Sequence, residues 1–214
     1  MLKNKFSKSE FEVGIDEAGR GCIAGPVTAS AVILPKGFSN KYLNDSKKLS
    51  EKKRLDLKTI IEKEALDYSV FFINAKIIDK INILQSTFKA MHGALDSLKI
   101  HPSFIIVDGN KFIKYKDIPH KCIIRGDSKY QNIAAASILA KTYRDKYMKK
   151  IHSKFPEYGW YTNKGYGTAF HMDMINKHGK TDFHRKTFNI KNYNLKFNIS
   201  NEKNNISFYT FSII

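Results

Sequence analysis

Gly14-Ile15-Asp16-Glu17-Ala18-Gly19-Arg20-Gly21-Cys22-Ile23-Ala24-Gly25-Pro26 is the stretch on which the reading of this chain turns. Phe11, Val13 and Ile15 alternate with Glu12 and Gly14, the period of a β-strand. Two adjacent carboxylates arrive where that strand should end, and glycines follow at 19, 21 and 25. Glycine there permits positive φ and close approach of another backbone. An Asp-Glu pair delivered into a glycine turn that carries an arginine makes a site for cations and phosphate. Asp-Glu before Gly is also common in ordinary turns, so distant residues have to decide. Neighbouring strand residues point to opposite faces. Asp16 is therefore the safer ligand, and Glu17 is expected to lie beyond the pleat, where Gly19 lets the chain turn.

Working outward, residues 27–34 between Pro26 and Pro35 read as a second strand, antiparallel to the first across the glycine turn. Ser50 is placed to cap a helix over 51–65, with Leu55, Ile60, Ile61 and Ala65 on one side. Residues 68–74 read as a third strand. Leu84, Phe88, Met91, Leu95 and Leu98 then fall at helical spacing. Phe104-Ile105-Ile106-Val107 is apolar without alternation, as in a strand covered on both faces, and ends in Asp108-Gly109-Asn110. Residues 121–124 repeat that pattern and end in Arg125-Gly126-Asp127-Ser128. A long helix over about 129–152 comes next, with Ile133, Ala136, Ala140, Tyr143 and Tyr147 as its buried stripe. Thr168 caps a shorter helix ending near Gly179. This order indicates an α/β fold with a mixed central sheet.

Composition narrows the partner. Thirty-seven Lys and Arg against 20 Asp and Glu leave a net charge of +17, which favours a polyanion, nucleic acid before membrane. The chain has two cysteines, Cys22 and Cys122, without metal-type spacing, which points to a reducing compartment and no zinc site. No apolar run reaches the ~20 residues of a membrane span, and Lys3, Lys5 and Lys8 interrupt the start. A cytoplasmic, monomeric protein is expected.

Acids are scarce in this chain, yet Asp16, Glu17, Asp108 and Asp127 all stand at strand ends, where open α/β sheets form their ligand sites. Converging carboxylates raise one another's pKa unless a cation compensates. Oxygen-only ligation suits Mg²⁺ or Mn²⁺, and two such ions can activate water and stabilise the leaving oxygen of a phosphodiester. A basic protein that gathers these acids is a candidate nuclease.

In this order the motifs resemble the ribonuclease HII family. They are Gly14-Ile15-Asp16-Glu17-Ala18-Gly19-Arg20-Gly21 with Ala24-Gly25-Pro26-Val27, Asp45-Ser46-Lys47-Lys48-Leu49, Asn82-Ile83-Leu84-Gln85 and Val107-Asp108-Gly109-Asn110. Gly126-Asp127-Ser128-Lys129, the run Ala134 to Lys141, Gly165-Tyr166-Gly167-Thr168 and His184-Arg185-x-x-Phe188 complete them. The resemblance spans about residues 11–190. It implies an RNase H-like fold with a five-stranded mixed sheet and a small helical C-terminal extension. It also implies endonucleolytic hydrolysis of RNA in RNA–DNA hybrids and at single ribonucleotides in duplex DNA, cutting on the 5′ side to leave a 3′-hydroxyl. By position, Asp16, Glu17, Asp108 and Asp127 would bind the metal. Gly19, Arg20 and Gly21 would grip the ribonucleotide at its 2′-hydroxyl, and Tyr166 would pack against the sugar on the 3′ side. Ser46, Lys47, Lys141 and Lys129 would take phosphates. Residues 1–190 would be the catalytic domain and 191–214 an extension docked on it.

Cys22 departs from the proline usual in the family. Residues 206–214 lack the leading glutamine of a sliding-clamp peptide, so clamp binding is unsupported. Ribonuclease HIII shares the acids but lacks the Gly-Arg-Gly triplet and carries an extra N-terminal domain. A non-catalytic binding module on the same fold is the other alternative.

Overall fold

A computed structural model describes residues 2–43 and 46–188 of the chain. β1 (Glu12–Ala18) turns back antiparallel into β2 (Val27–Ile33), and after helix α1 (Glu51–Glu64) β3 (Asp67–Ile73) pairs with the far side of β2. Helix α2 (Ala75–Asp96) crosses to β4 (Phe104–Asp108), which runs parallel to β1, and β5 (His120–Ile123) runs parallel to β4. The five-stranded mixed sheet has the order β3-β2-β1-β4-β5. Helices α3 (Gln131–His152), α4 (Trp160–Asn163) and α5 (Ala169–His178) complete the fold. Among the described residues no helix is long and apolar enough to cross a membrane. The expected extension at 191–214 lies outside the described residues.

The period-two geometry of β1 sorts the sheet's two faces. Val13 and Ile15 point into a core shared with Ile78, Met91 and Leu95 of α2. Gly14 faces the other way, where α3 crosses so closely that a Cβ would collide with the Asn132–Ile133 backbone. Ala134, Ala135 and Ala136 continue that thin contact, and Leu57 and Ile61 of α1 close the same layer. Glu12 is fully buried beside Gly14, a costly position for a carboxylate without partners. Its oxygens accept from the N–H groups of Phe6 at 3.0 Å and Ser7 at 2.6 Å, so the N-terminal segment is folded onto it.

Several expectations need correction. Glu17 lies inside β1, paired with Ala29, rather than beyond the pleat. β1 keeps pairing with β2 up to Ala18 but leaves β4 after Ile15, so the strand continues with one open edge. Helix α2 starts at Ala75, well before Leu84, with Asn74 accepting from Ile77 N–H. Asn82 (φ 64°) interrupts it, and its side chain caps the second half by accepting from Gln85 N–H at 3.1 Å. Ser50 does cap α1, but Leu57 and Ile61 form its buried side while Leu55 and Ile60 are exposed. In α3 the stripe continues through Arg144, Met148 and Ile151, and Tyr143 and Tyr147 are only half-buried.

Replacing Gly14 with alanine should lower the unfolding free energy by about 1–3 kcal/mol, the usual cost of overpacking. Denaturant unfolding measures this, and an unchanged midpoint would mean that α3 is not seated on Gly14.

Candidate active site

The same alternation that points Gly14 at α3 points Asp16 there too. Asp16 is 6% exposed, and the hydroxyl of Ser137, on α3, hydrogen-bonds its carboxylate. Ser46 in turn meets Ser137 at 2.9 Å, so the expected phosphate ligand Ser46 is a buried group standing behind Asp16. Asp108 ends β4 one step past the Ile15–Val107 pair, which places it next to Asp16 across the parallel ladder. Its Oδ1 accepts from Gly126 N–H at 2.6 Å, drawing in the one-turn helix Gly126–Ser128 that carries the buried Asp127. Glu17 reaches the electrostatic neighbourhood of Asp108 and is tied to Arg20 at 3.2 Å.

Burial, with Glu17 and Asp108 close by, holds the Asp16 carboxyl well above the ordinary carboxylate range. Burial also raises Glu17, with Arg20 and Lys47 working against it. An assembly whose ionised form is penalised in this way is relieved by a cation. The donor set is all oxygen, which fits a hard divalent ion. Among the described residues no three Asp, Glu, His or Cys side chains are gathered tightly enough to hold an ion as they stand, so the carboxylates would have to turn toward it.

Two arginines that sequence reasoning left without a role organise the rest. Arg185 donates to the carbonyls of Gly19 (2.6 Å), Arg20 (2.8 Å) and Gly25 (3.1 Å). Arg144 donates to Ala24, Pro26 and Lys164. Gly19 has φ +91°, and a Cβ there would collide with Arg144. Gly21 is different: a Cβ on it meets nothing within 4 Å, so nothing inside the protein requires glycine at that position. Because a trans peptide sets N–H opposite C=O, turning the Gly19 and Arg20 carbonyls toward Arg185 aims the N–H groups of Arg20 and Gly21 away from it.

The Gly165 carbonyl accepts from Ile23 and Ala24 N–H, stitching the loop that carries Tyr166 to the glycine turn. The Tyr166 ring is 44% exposed, with the Lys141 ammonium 6.0 Å from its centroid. Lys141 pairs with Asp145 at 2.7 Å, and Lys47 is exposed on the neighbouring one-turn helix. Lys129 is turned onto the Ile124 carbonyl. Cys22 is buried under the turn with its thiol 3.8 Å from the Lys164 carbonyl, and burial raises its pKa. The available signals were an arginine inside the alanine-rich helix and the His184-Arg185 pair, but neither announces its carbonyl partners.

A family model described as Ribonuclease HII matches residues 13–191. Ribonuclease HII of Christiangramia forsetii is 58% identical over 189 residues, covering 88% of this chain and 96% of the relative. That of Bacteroides thetaiotaomicron is 55% identical over 190 residues, covering 89% and 95%. The crystal structure of the ribonuclease H2 from Pyrococcus horikoshii OT3 matches with a TM-score of 0.69 at 27% identity, covering 83% of this chain and 93% of that one.

Behind the Tyr166 loop lies His184, whose pKa burial lowers from 6.5 to about 4. In the unfolded chain this imidazole takes a proton near pH 6.5. Between that pH and about 4 the unfolded state therefore binds more protons, and stability falls as pH drops. The expected loss from this group is about 3 kcal/mol across the window. The decline in unfolding free energy should be shallower by that amount in His184→Asn; parallel curves would contradict it.

Proposed function

The chain belongs to the ribonuclease HII family, endoribonucleases acting on RNA in RNA–DNA hybrids, and from that premise we propose a finer activity. The protein cuts hybrids, and duplex DNA bearing a single ribonucleotide, on the 5′ side of the ribonucleotide, leaving a 3′-hydroxyl and a 5′-phosphate. Its cellular work would then be ribonucleotide excision and RNA-primer removal. The observation that carries the reading is the pair of Gly19 and Arg20 carbonyls bonded to Arg185. By peptide planarity this sets the N–H groups of Arg20 and Gly21 on the opposite side. They stand on an uncrowded surface beside buried acids, held there by carbonyls turned to Arg185.

Two backbone donors fixed at one point can recognise the 2′-hydroxyl, the group that separates RNA from DNA. The bare Gly21 lets the sugar come close. Tyr166 packs against the next sugar on the 3′ side, where a deoxyribose fits and a 2′-hydroxyl does not, so it reads the RNA-to-DNA junction. Lys47, Lys129 and Lys141 supply positive charge for flanking phosphates, and the net charge of +17 draws in the duplex. Ser46 acts one step removed, orienting Ser137 toward Asp16.

Asp16, Glu17, Asp108 and Asp127 would hold Mg²⁺ or Mn²⁺, which when bound supplies an acidified water and charge stabilisation for the leaving 3′-oxygen. The residues' own contribution is orientation. Ser137 fixes Asp16, and Gly126 N–H fixes Asp108. These bonds set the starting orientation of both carboxylates, from which they would turn toward the ion.

A duplex carrying one ribonucleotide, incubated with Mg²⁺ or Mn²⁺, is expected to be nicked on the ribonucleotide's 5′ side; cleavage confined to RNA runs would overturn the proposal. Asp108→Asn should reduce cleavage by at least about a thousandfold, on the order of losing one essential electrostatic group, while binding stays within a few fold. Tyr166→Ala should lower the ratio of cutting at a junction to cutting within an RNA run more than it lowers affinity. An unchanged ratio would remove Tyr166 from substrate reading.

A further inference from the structure

Beneath the Tyr166 loop, away from the acids, is a second buried polar assembly. Trp160, His171 and His184 are each at most 1% exposed, and their hydrogen bonds form one directed chain. The carbonyl of Tyr166 lies 2.8 Å from His171 Nδ1. A carbonyl only accepts, so Nδ1 carries the proton. His171 Nε2 is then bare, and it accepts from Trp160 Nε1–H at 2.9 Å. His184 Nδ1 accepts from Thr181 N–H at 2.9 Å, which leaves the proton on Nε2, 3.1 Å from His171 Nε2. His171 Nε2 has one lone pair, which the Trp160 N–H takes at 2.9 Å, so the His184 Nε2–H at 3.1 Å is a weaker, competing contact.

The chain ends at one place, the Tyr166 main chain. That carbonyl also accepts from Thr168 N–H at 2.9 Å, and the Tyr166 N–H goes to the Asn163 carbonyl at 2.9 Å. Tyr166 is 44% exposed, with Cys22 and Arg144 beside its hydroxyl end, and the main-chain bonds fix the other end of the residue. Two histidines kept buried and neutral are an expensive filler for a core that Tyr158, Phe155 and Met172 already line. Their directed bonds meet a different need, that of fixing the backbone of a partly exposed aromatic.

We infer that His171 is a positioning residue for Tyr166: its Nδ1–H, locked in that tautomer by the Trp160 N–H at Nε2, sets the peptide from which the ring projects toward the substrate. This rests on the reading of Tyr166 as the residue that senses the sugar 3′ of the ribonucleotide. Neither histidine touches substrate, and the effect is on discrimination rather than on the chemical step.

The test compares His171→Asn, whose amide N–H can occupy the Nδ1 position, with His171→Leu, which has no donor. Both lose the Nε2 acceptor, so a purely structural role would damage them alike. The readout is the ratio of cleavage at a single-ribonucleotide junction to cleavage within an RNA run, with Mg²⁺, alongside thermal unfolding. Losing one buried hydrogen bond should lower that ratio roughly threefold to tenfold in His171→Leu. His171→Asn should stay within about twofold of the parent ratio, although both variants unfold at similarly lowered temperatures. An unchanged ratio in His171→Leu, or an equal loss in both variants, would overturn the inference. Tyr166→Ala run in parallel separates the levels. If it leaves the ratio unchanged, the reading of Tyr166 falls and the inference with it; if it lowers the ratio while His171→Leu does not, only the inference falls. Should leucine at 171 prevent folding, Trp160→Phe removes the N–H that locks the tautomer together with part of a buried ring, so its thermal unfolding is measured beside its ratio. It is expected to lower the ratio about twofold to threefold, and no change there would count against the inference equally.

Discussion

Two guanidinium groups, 1% exposed each, hold the functional loops by main-chain carbonyls alone: three oxygens on Arg144 and three on Arg185. A buried cation costs several kcal/mol unless its donors are matched, and turn carbonyls out of reach of water have the complementary need. Each solves the other's problem. The planar fork of arginine is what makes this possible, because one side chain reaches three oxygens at fixed angles, which an ammonium on a flexible stem cannot do. Burial lowers Arg185 to about 10, so the group remains charged at neutral pH and the lattice of bonds persists. Arg144 spans both loops, taking Ala24 and Pro26 from one and Lys164 from the other. The glycine turn and the Tyr166 loop are therefore one rigid piece.

That piece is registered to the acids by the central strand. β1 is hydrogen-bonded on both sides over Val13–Ile15, and Gly14 lets α3 rest on its backbone. Helix α3 thus passes over Gly14, presents Ser137 to Asp16, and two turns later sends Arg144 into the glycine turn. One helix sets the distance between the carboxylates and the glycine turn. The missing side chain at position 14 is what permits it, so a residue with no chemistry of its own controls the geometry of those that have some.

Much of this was legible from the residues. Asp108 and Asp127 could be placed because apolar runs with no alternation mark strands buried on both faces, and the residue that ends such a run sits at the carboxyl edge of the sheet. Glu17 was misplaced because alternation was taken to keep neighbouring acids apart, whereas β1 loses β4 after Ile15 and both carboxylates come near Asp108 at that open edge. The early start of α2 was hidden because Asn82 breaks the helical period, and its capping role appears only once its positive φ is known. Leu55 and Ile60 were assigned to a buried side that α3 does not cover, since the direction from which a helix is packed is a tertiary property. Arg185 and His184 were legible as motif members but not in their roles, while Arg144 and His171 fall in none of the motifs. Their partners are carbonyls and other imidazoles, and a carbonyl has no letter in a sequence.

The charge distribution explains why this chain needs both its basic surface and its acid cluster. A net charge of +17, taken alone, would favour ionised acids everywhere. Asp16 shows the opposite, held above its ordinary range by burial and by two carboxylate neighbours. Surface lysines act through water, where fields decay over about 8–10 Å, while desolvation and neighbours a few Å away act undiminished. The basic surface therefore attracts a polyanion but cannot neutralise the acids beneath it. A phosphodiester brought to that spot would add to the excess negative charge. A compact positive charge within the cluster would relieve the carboxylates and the phosphate together, and the burial of Asp16 is what makes such a charge favourable there.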